Sequence, residues 1–499
     1  MNNHKEKKKI GFISAFSICF TSIVGIGIFL KNASVGANVK GDGIAWLFSW
    51  IITGLLSILL AFLFGKISAI KSKNGITGLN LWIHEITDVK NTWFKKISSI
   101  NYGLFYHPIL LISLSFFTTE FFIEIFKTVI DVEIHLGIYA IITICFLAFF
   151  VLNNYFSIKF SSHISFVTSI LKIIPLIMVI IIGISFFNQN NYGGTNGFQN
   201  PISPDKAIQG IMLSIPGVLF SFDSFIGIGS WSNNIKGGEK AVSRVIIFAL
   251  VFVTVIYSLI CIASIFHFND KENGTGGTTI LNVLLDSLPQ NVRLGITIFI
   301  TITIFISAFG TTNSICGSAL HEYNNLVIRE NVFFINKIKS KFNNSKSALI
   351  SFVLVVSFWS LIILIPSIII NHDGIIDGFS NLVVVAIFPI YAYLIFLYWK
   401  NIYLKSNKNN KYRHWYTIAV WAALIWVILA IGLNIYFVLE AAIKSWDLPS
   451  SWGLFVTPQE VSPINNLNVL ILYIVFFAIF FSFPFINFKI IEKSKMHQS

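Results

Sequence analysis

Apolar residues run in twelve stretches of roughly 20 or more, separated by shorter polar segments, and a helix needs about 20 apolar residues to cross a bilayer core about 30 Å thick. The stretches lie near 11–31, 44–65, 98–126, 134–152, 162–187, 207–231, 243–267, 291–322, 348–370, 377–399, 414–438 and 467–488. Inside hydrocarbon every backbone N–H and C=O must pair within its own segment, so each run predicts a transmembrane α-helix. The fold class is an all-α integral membrane protein with 12 transmembrane helices. The longest hydrophilic stretches are 66–97, 188–206, 268–290 and 439–466, and none resembles a soluble domain. Composition agrees: 55% hydrophobic residues, 11% charged and 50 Phe exclude a water-soluble globule.

Twelve spans put both termini on one side. About 27 of the 35 Lys and Arg residues fall in the tails and loops of that side, about 7 in the opposite loops, and Lys172 inside a span. The excess predicts that both termini are cytoplasmic, which makes 188–206, rich in Asn and Gly, and 439–466 irregular outer loops. The net charge of +13 sits in short clusters beside spans, as in Lys5–Lys9, Lys71–Lys73 and Lys337–Lys346, so it reads as topology and not as a nucleic-acid surface. The basic start leads through Gly25-Ile26-Gly27 into a full span without a small-residue cleavage site, so it reads as the first helix and not as a cleaved signal. Cys19, Cys145, Cys261 and Cys316 lie in apolar segments without paired spacing; they predict small core residues, no disulfide framework, no metal site and no cofactor.

Two spans carry interruptions. Span 1 contains Val24-Gly25-Ile26-Gly27-Ile28-Phe29, and span 6 contains Pro216-Gly217 followed by Phe220-Ser221-Phe222-Asp223-Ser224-Phe225-Ile226-Gly227. Unwound backbone is tolerable in a bilayer only where it lines a cavity, and first and sixth are equivalent members of a five-plus-five repeat. Glycine spacing by itself equally serves close helix packing. Lys172 and Asp223 place charge well inside spans 5 and 6, where a charge faces a polar cavity or finds a partner. Lys172 could instead snorkel to the cytoplasmic face, and Asp223 could satisfy N–H groups around the break. Glu120 and Glu124 read as a helix end meeting water, and His107-Pro108 as a kink beside a satisfied histidine.

These residues resemble the amino acid/polyamine/organocation (APC) permease superfamily. Val24-Gly25-Ile26-Gly27-Ile28-Phe29 is similar to its first-helix Ile-Gly-Ser-Gly-Ile-Phe break, with Ile26 in place of Ser. Phe220-Ser221-Phe222-Asp223-Ser224-Phe225 with Asn233-Asn234-Ile235-Lys236-Gly237-Gly238-Glu239-Lys240 resembles the sixth helix and the loop after it, Asn233-Asn234 replacing an acidic pair. Lys71-Ser72-Lys73-Asn74-Gly75, Lys172 before Ile181-Ile182-Gly183, and Gly310-Thr311-Thr312-Asn313 followed by His321 are further echoes of a divergent bacterial member.

The resemblance implies a five-plus-five inverted repeat of the LeuT-like (APC) fold with helices 1 and 6 broken, plus two C-terminal helices. The organisation would be a basic tail (1–10), a transport core (11–400), helices 11 and 12 (401–488) and a cytoplasmic tail (489–499). It implies an amino acid substrate, bound through its carboxylate by the backbone of Gly25-Ile26-Gly27 and through its ammonium by carbonyls near Ser22-Ile23 and Phe220-Ser221-Phe222. Asp223 and Ser224 would stand beside it, Phe220 would gate it, and spans 3, 8 and 10 would complete the pocket. Lys172 resembles a permanent stand-in for the sodium of sodium-coupled relatives, which points to proton-coupled uptake or exchange. Partners are then the amino acid, membrane lipid and a proton, at the cell membrane.

Other functions fit less well. His84-Glu85-Ile86-Thr87-Asp88 and His321-Glu322-Tyr323-Asn324-Asn325 both lack the second His of a zinc helix, so the chain does not read as an enzyme. No continuous polar stripe suggests a channel. An amino-acid-binding membrane sensor without transport, or a polyamine or other organocation transporter of the same fold, remains as an alternative.

Overall fold

In the computed structural model the described residues are 10–25, 27–70, 76, 78–87, 92–130, 134–185, 197–199, 201–266, 290–406, 413–450 and 464–496. They form α1 (Phe12–Ile23), α2 (Gly27–Asn38), α3 (Gly43–Ile67), α4 (Gly78–Ile86), α5 (Thr92–Asn101), α6 (His107–Ile130), α7 (Leu136–Phe156), α8 (Ile158–Leu171) and α9 (Ile173–Ser185). There follow α10 (Pro204–Phe222), α11 (Gly238–Phe266), α12 (Gln290–Arg329), α13 (Phe333–Lys339), α14 (Asn344–Ile370), α15 (Gly374–Tyr398), α16 (Leu404–Ser406), α17 (Arg413–Lys444) and α18 (Asn466–Met496). A π turn over Tyr102–Tyr106 joins α5 to α6, a second over Trp399–Tyr403 joins α15 to α16, and a 3-10 run over Phe225–Asn234 follows α10.

Twelve stretches of these helices are long and apolar enough to cross a membrane, in the places where the apolar runs predict them. Their burial sorts them into centre and rim. In the most apolar part of Pro204–Gly229 83% of the residues are buried, which puts this span inside the bundle, whereas in that of Asn466–Ser494 28% are, which puts it at the rim. On α7, Ile138, Ile141, Ile144 and Leu152 form an exposed apolar face while Tyr139, Thr143, Leu147 and Phe150 pack inward. A helix apolar on both faces suits a site with protein on one side and hydrocarbon on the other. Local stops are chemically specified: Asp42 caps α3 by accepting from the N–H groups of Ile44 and Ala45, both at 3.0 Å.

Several details differ from the sequence reading. The polar stretch 66–97 contains α4 and the start of α5, and α4 buries Leu79, Asn80, Leu81, Trp82 and Ile83 against the bundle. Span 5 is two helices meeting at Lys172. His107 is not satisfied: it is buried with no hydrogen-bond partner at Nδ1 among the described residues, and lies edge-on to Tyr102 and Tyr106 at the π turn. Cys145 faces outward, and Glu120 is half-buried while Glu124 is exposed.

Candidate functional site

α1 stops at Ile23 and α2 starts at Gly27, which leaves the carbonyls at the end of α1 without helical partners. Lys172 and Thr311 occupy them. The Lys172 ammonium donates to the carbonyls of Thr21, at 3.0 Å, and Val24, and to Thr311 Oγ1 at 3.1 Å. The Thr311 hydroxyl also lies 3.0 Å from the Thr21 carbonyl, 3.2 Å from that of Val24 and 3.0 Å from that of Ser307. The Lys172 amine thus sits on a helix C-terminus, where partial negative charge concentrates. Lys172 is fully buried, so it does not snorkel to water.

α10 ends at Phe222, and the 3-10 run begins at Phe225. Between them Ser224 adopts φ 68°, a left-handed conformation unusual for a residue with a Cβ. The two helix ends are brought together. Tyr257, from α11, points its hydroxyl at the carbonyls of Ile23, at 3.5 Å, and Ser221, at 3.3 Å. Gly27 packs so tightly on Ser221 that a Cβ there would lie 2.8 Å from the Ser221 Cα. Ser22 donates back to the carbonyl of Ile18 at 2.9 Å. Asp223 is buried; its Oδ2 accepts from the Tyr106 hydroxyl at 2.7 Å, while its Oδ1 has no partner among the described residues. Ile26 lies outside the described residues, as do the side chains of Asn233 and Asn234.

Phe220 is buried beneath a cation. The Lys31 ammonium stands 4.5 Å from its ring centroid and forms a buried ion pair with Asp377 of α15. It also donates to Ser380 Oγ and Asn381 Oδ1, each at 3.0 Å. A cavity of about 80 Å³ opens beside this cluster, with Lys31, Pro216, Gly217, Asn381, Asn434 and Tyr473 among its walls. None of the expected binding residues lines it.

Spans 1, 3, 5, 6, 7, 8 and 10 therefore contribute, and five participants, Lys31, Asp377, Thr311, Tyr257 and Tyr106, are not among the site residues expected from the sequence. Lys31 ends the first apolar run and Asp377 begins the tenth, so each reads from the sequence as a charge at the end of a span. Thr311 and Tyr257 are neutral residues of a kind common in membrane helices.

Residues 10–480 match the family described as amino acid permease. The chain belongs to that family. It is 23% identical to the serine/threonine exchanger SteT of Bacillus subtilis, over 82% of this chain and 85% of that protein. It is 25% identical to the b(0,+)-type amino acid transporter 1 of Mus musculus, over 52% of this chain and 51% of that protein. With the cystine/glutamate transporter of Homo sapiens it shares 22% over 62% of this chain and 58% of that protein. The permease is thus a multi-pass membrane protein, and its family consists of amino acid transporters and not enzymes.

Proposed function

We propose that this permease is a secondary active amino acid transporter working by alternating access, with both termini cytoplasmic and the cell membrane as its site. Its core is the inverted repeat of residues 11–400, with spans 1 and 6 discontinuous, and residues 401–488 are appended to it. The observation that carries this reading is the meeting of two helix ends, Ile23 and Ser221, at one hydroxyl. Free carbonyls at one helix end and free N–H groups at the next start are the complementary partners of an ammonium and a carboxylate on one small molecule. Substrate would enter by displacing Tyr257 from those carbonyls, with the Gly25-Ile26-Gly27 backbone taking the carboxylate, Asp223 and Ser224 beside it, and Phe220 closing over it.

Lys172 supports a coupling mode without sodium. Its ammonium fills the carbonyl cluster at the end of α1, leaving no room there for a metal cation of the same charge. Proton-coupled uptake and exchange both fit, and the name of the Bacillus subtilis relative, an exchanger, favours exchange. The test is uptake of a labelled amino-acid panel by proteoliposomes under an inward proton gradient, an inward sodium gradient, or internal amino acid alone. Uptake driven by internal amino acid or protons supports the reading. Uptake driven by sodium alone overturns the role of Lys172, and binding without flux in any mode would leave a sensor.

A further inference from the structure

Glu322, on α12, is a fully buried carboxyl that plays no part in the site above. Its Oε1 accepts from Asn80 Nδ2 of α4, and its Oε2 from Asn325 Nδ2 at 3.1 Å. Both partners are neutral amides, and among the described residues no cation is paired with it. The Asn80 amide is itself unfinished: its Nδ2 also points to the carbonyl of Ser99, at 3.5 Å, but its Oδ1 is buried without a partner. An ionised carboxylate can only accept, so it leaves that oxygen orphaned. A carboxylic acid has an O–H to give, and the orphan acceptor belongs to the amide already in contact with it. Burying the neutral acid also costs far less than burying a charge without a counter-ion.

We propose that Glu322 is a proton-binding site that holds its proton whenever α4 is seated, and that loss of this proton releases α4. The inference rests on the transport reading above for its consequence, since α4 is a short helix packed against the 3-10 run that follows α10. Its own Asn80, Trp82 and Ile83 are buried, and Trp82 packs against Gly229 of that run. When α4 withdraws, Glu322 meets water and gives its proton to water on that side; when α4 returns, the acid takes a proton from the same side. Closure of this face then requires a proton, which ties the gate to pH. The titratable groups around Glu322 are Tyr102 on the π turn, His321 and Tyr323 flanking it on α12, and the exposed His84 and Glu85 on α4. Further along the packed elements are Lys95 and Lys96 on α5, His107, Glu120, Glu124 and Lys127 on α6, His135 at the N-cap of α7, Tyr139 and Tyr155 on α7, His163 on α8, Arg329 on α12, Lys337 and Lys339 on α13, Lys346 on α14, and Tyr391 on α15. α1 and the 3-10 run Phe225–Asn234 carry no charged residue.

Two measurements on the full-length protein test this. The infrared difference spectrum between wild type and Glu322→Gln should contain the C=O band of a protonated carboxylic acid; a carboxylate band in its place overturns the proposal. Should Glu322→Gln fail to fold, Asn80→Ala serves: it removes the acceptor, so the acid band should move to higher frequency, and an unmoved band is equally fatal. In proteoliposomes, amino acid exchange by wild type should vary with pH on the α4 side, and Glu322→Gln, a fixed mimic of the protonated acid, should be flat. A wild-type pH profile retained by the variant overturns the gating role. Absence of flux in every mode would instead sink the transport reading, leaving the infrared result to decide the proton on Glu322.

Discussion

The ammonium of Lys31 on α2 meets the carboxylate of Asp377 on α15 with neither side chain exposed. The pair joins the segment just beyond the α1 end to span 10, and Ser380 and Asn381 supply the remaining partners of the ammonium. Removing one member of a buried pair leaves an uncompensated charge, which costs about 3–5 kcal/mol, while replacing both by apolar residues of similar volume is often close to neutral. Lys31→Met and Asp377→Leu should therefore each lower the thermal midpoint of the detergent-solubilised permease strongly. The double variant should regain most of the loss. Two single losses that simply add would show that the residues act independently.

Gly25 and Gly27 offer a paired test of close approach. A Cβ on Gly25 would meet Thr311 Cγ2 at 2.8 Å, a side-chain methyl, whereas one on Gly27 would meet the Ser221 Cα at 2.8 Å, which is backbone. Overpacking of this kind costs about 1–3 kcal/mol. Gly25→Ala should be destabilising and should be rescued by Thr311→Ser, which removes the methyl and keeps the hydroxyl. Gly27→Ala should gain much less from Ser221→Ala, which removes the Ser221 Oγ at 2.6 Å but leaves the Ser221 Cα at 2.8 Å. Melting curves of the four variants decide it.

The reach of the sequence follows from which forces act locally. Spans were legible because a bilayer imposes a run length on every crossing helix, and Lys172 and Asp223 were visible because each breaks an apolar run near its middle. Lys31 and Asp377 were not, since each stands within a turn of a run's end and reads as interfacial until the fold puts α2 beside α15. Glu322 ended the eighth run as read, but the helix continues to Arg329 and buries it. Asp223 was found, but its partner Tyr106 was not: the π turn that precedes α6 leaves no clear mark in the sequence.

Lys172 and Thr311 divide the carbonyl cluster at the end of α1, and their loss should differ in kind. Thr311→Val removes a hydroxyl with three acceptors near it but leaves the ammonium, so a loss of about 1–3 kcal/mol is expected. Lys172→Met takes away the charge that sits on the Thr21 and Val24 carbonyls and should abolish gradient-driven uptake. Unchanged gradient-driven uptake in Lys172→Met or Lys172→Ala would remove this residue from the coupling mechanism.

Tyr257 separates holding the fold from running the cycle. Its hydroxyl bonds to Ile23 and Ser221 are long, 3.5 and 3.3 Å, and hydrogen bonds weaken as they lengthen beyond about 3.2 Å. The ring itself packs against Trp50 and Phe222 at centroid distances of 5.5 and 5.2 Å, and Tyr257→Phe preserves that packing. Stability should therefore fall by no more than about 1 kcal/mol. Transport should respond differently, because the hydroxyl occupies the carbonyls that the substrate ammonium is proposed to take. Without it those carbonyls lose their resident donor in the empty protein, which favours substrate in the equilibrium between empty and loaded states. Labelled amino acid should then bind more tightly to Tyr257→Phe while release, and with it the exchange rate, slows. Weaker binding together with a marked drop in melting temperature would assign Tyr257 to the scaffold alone.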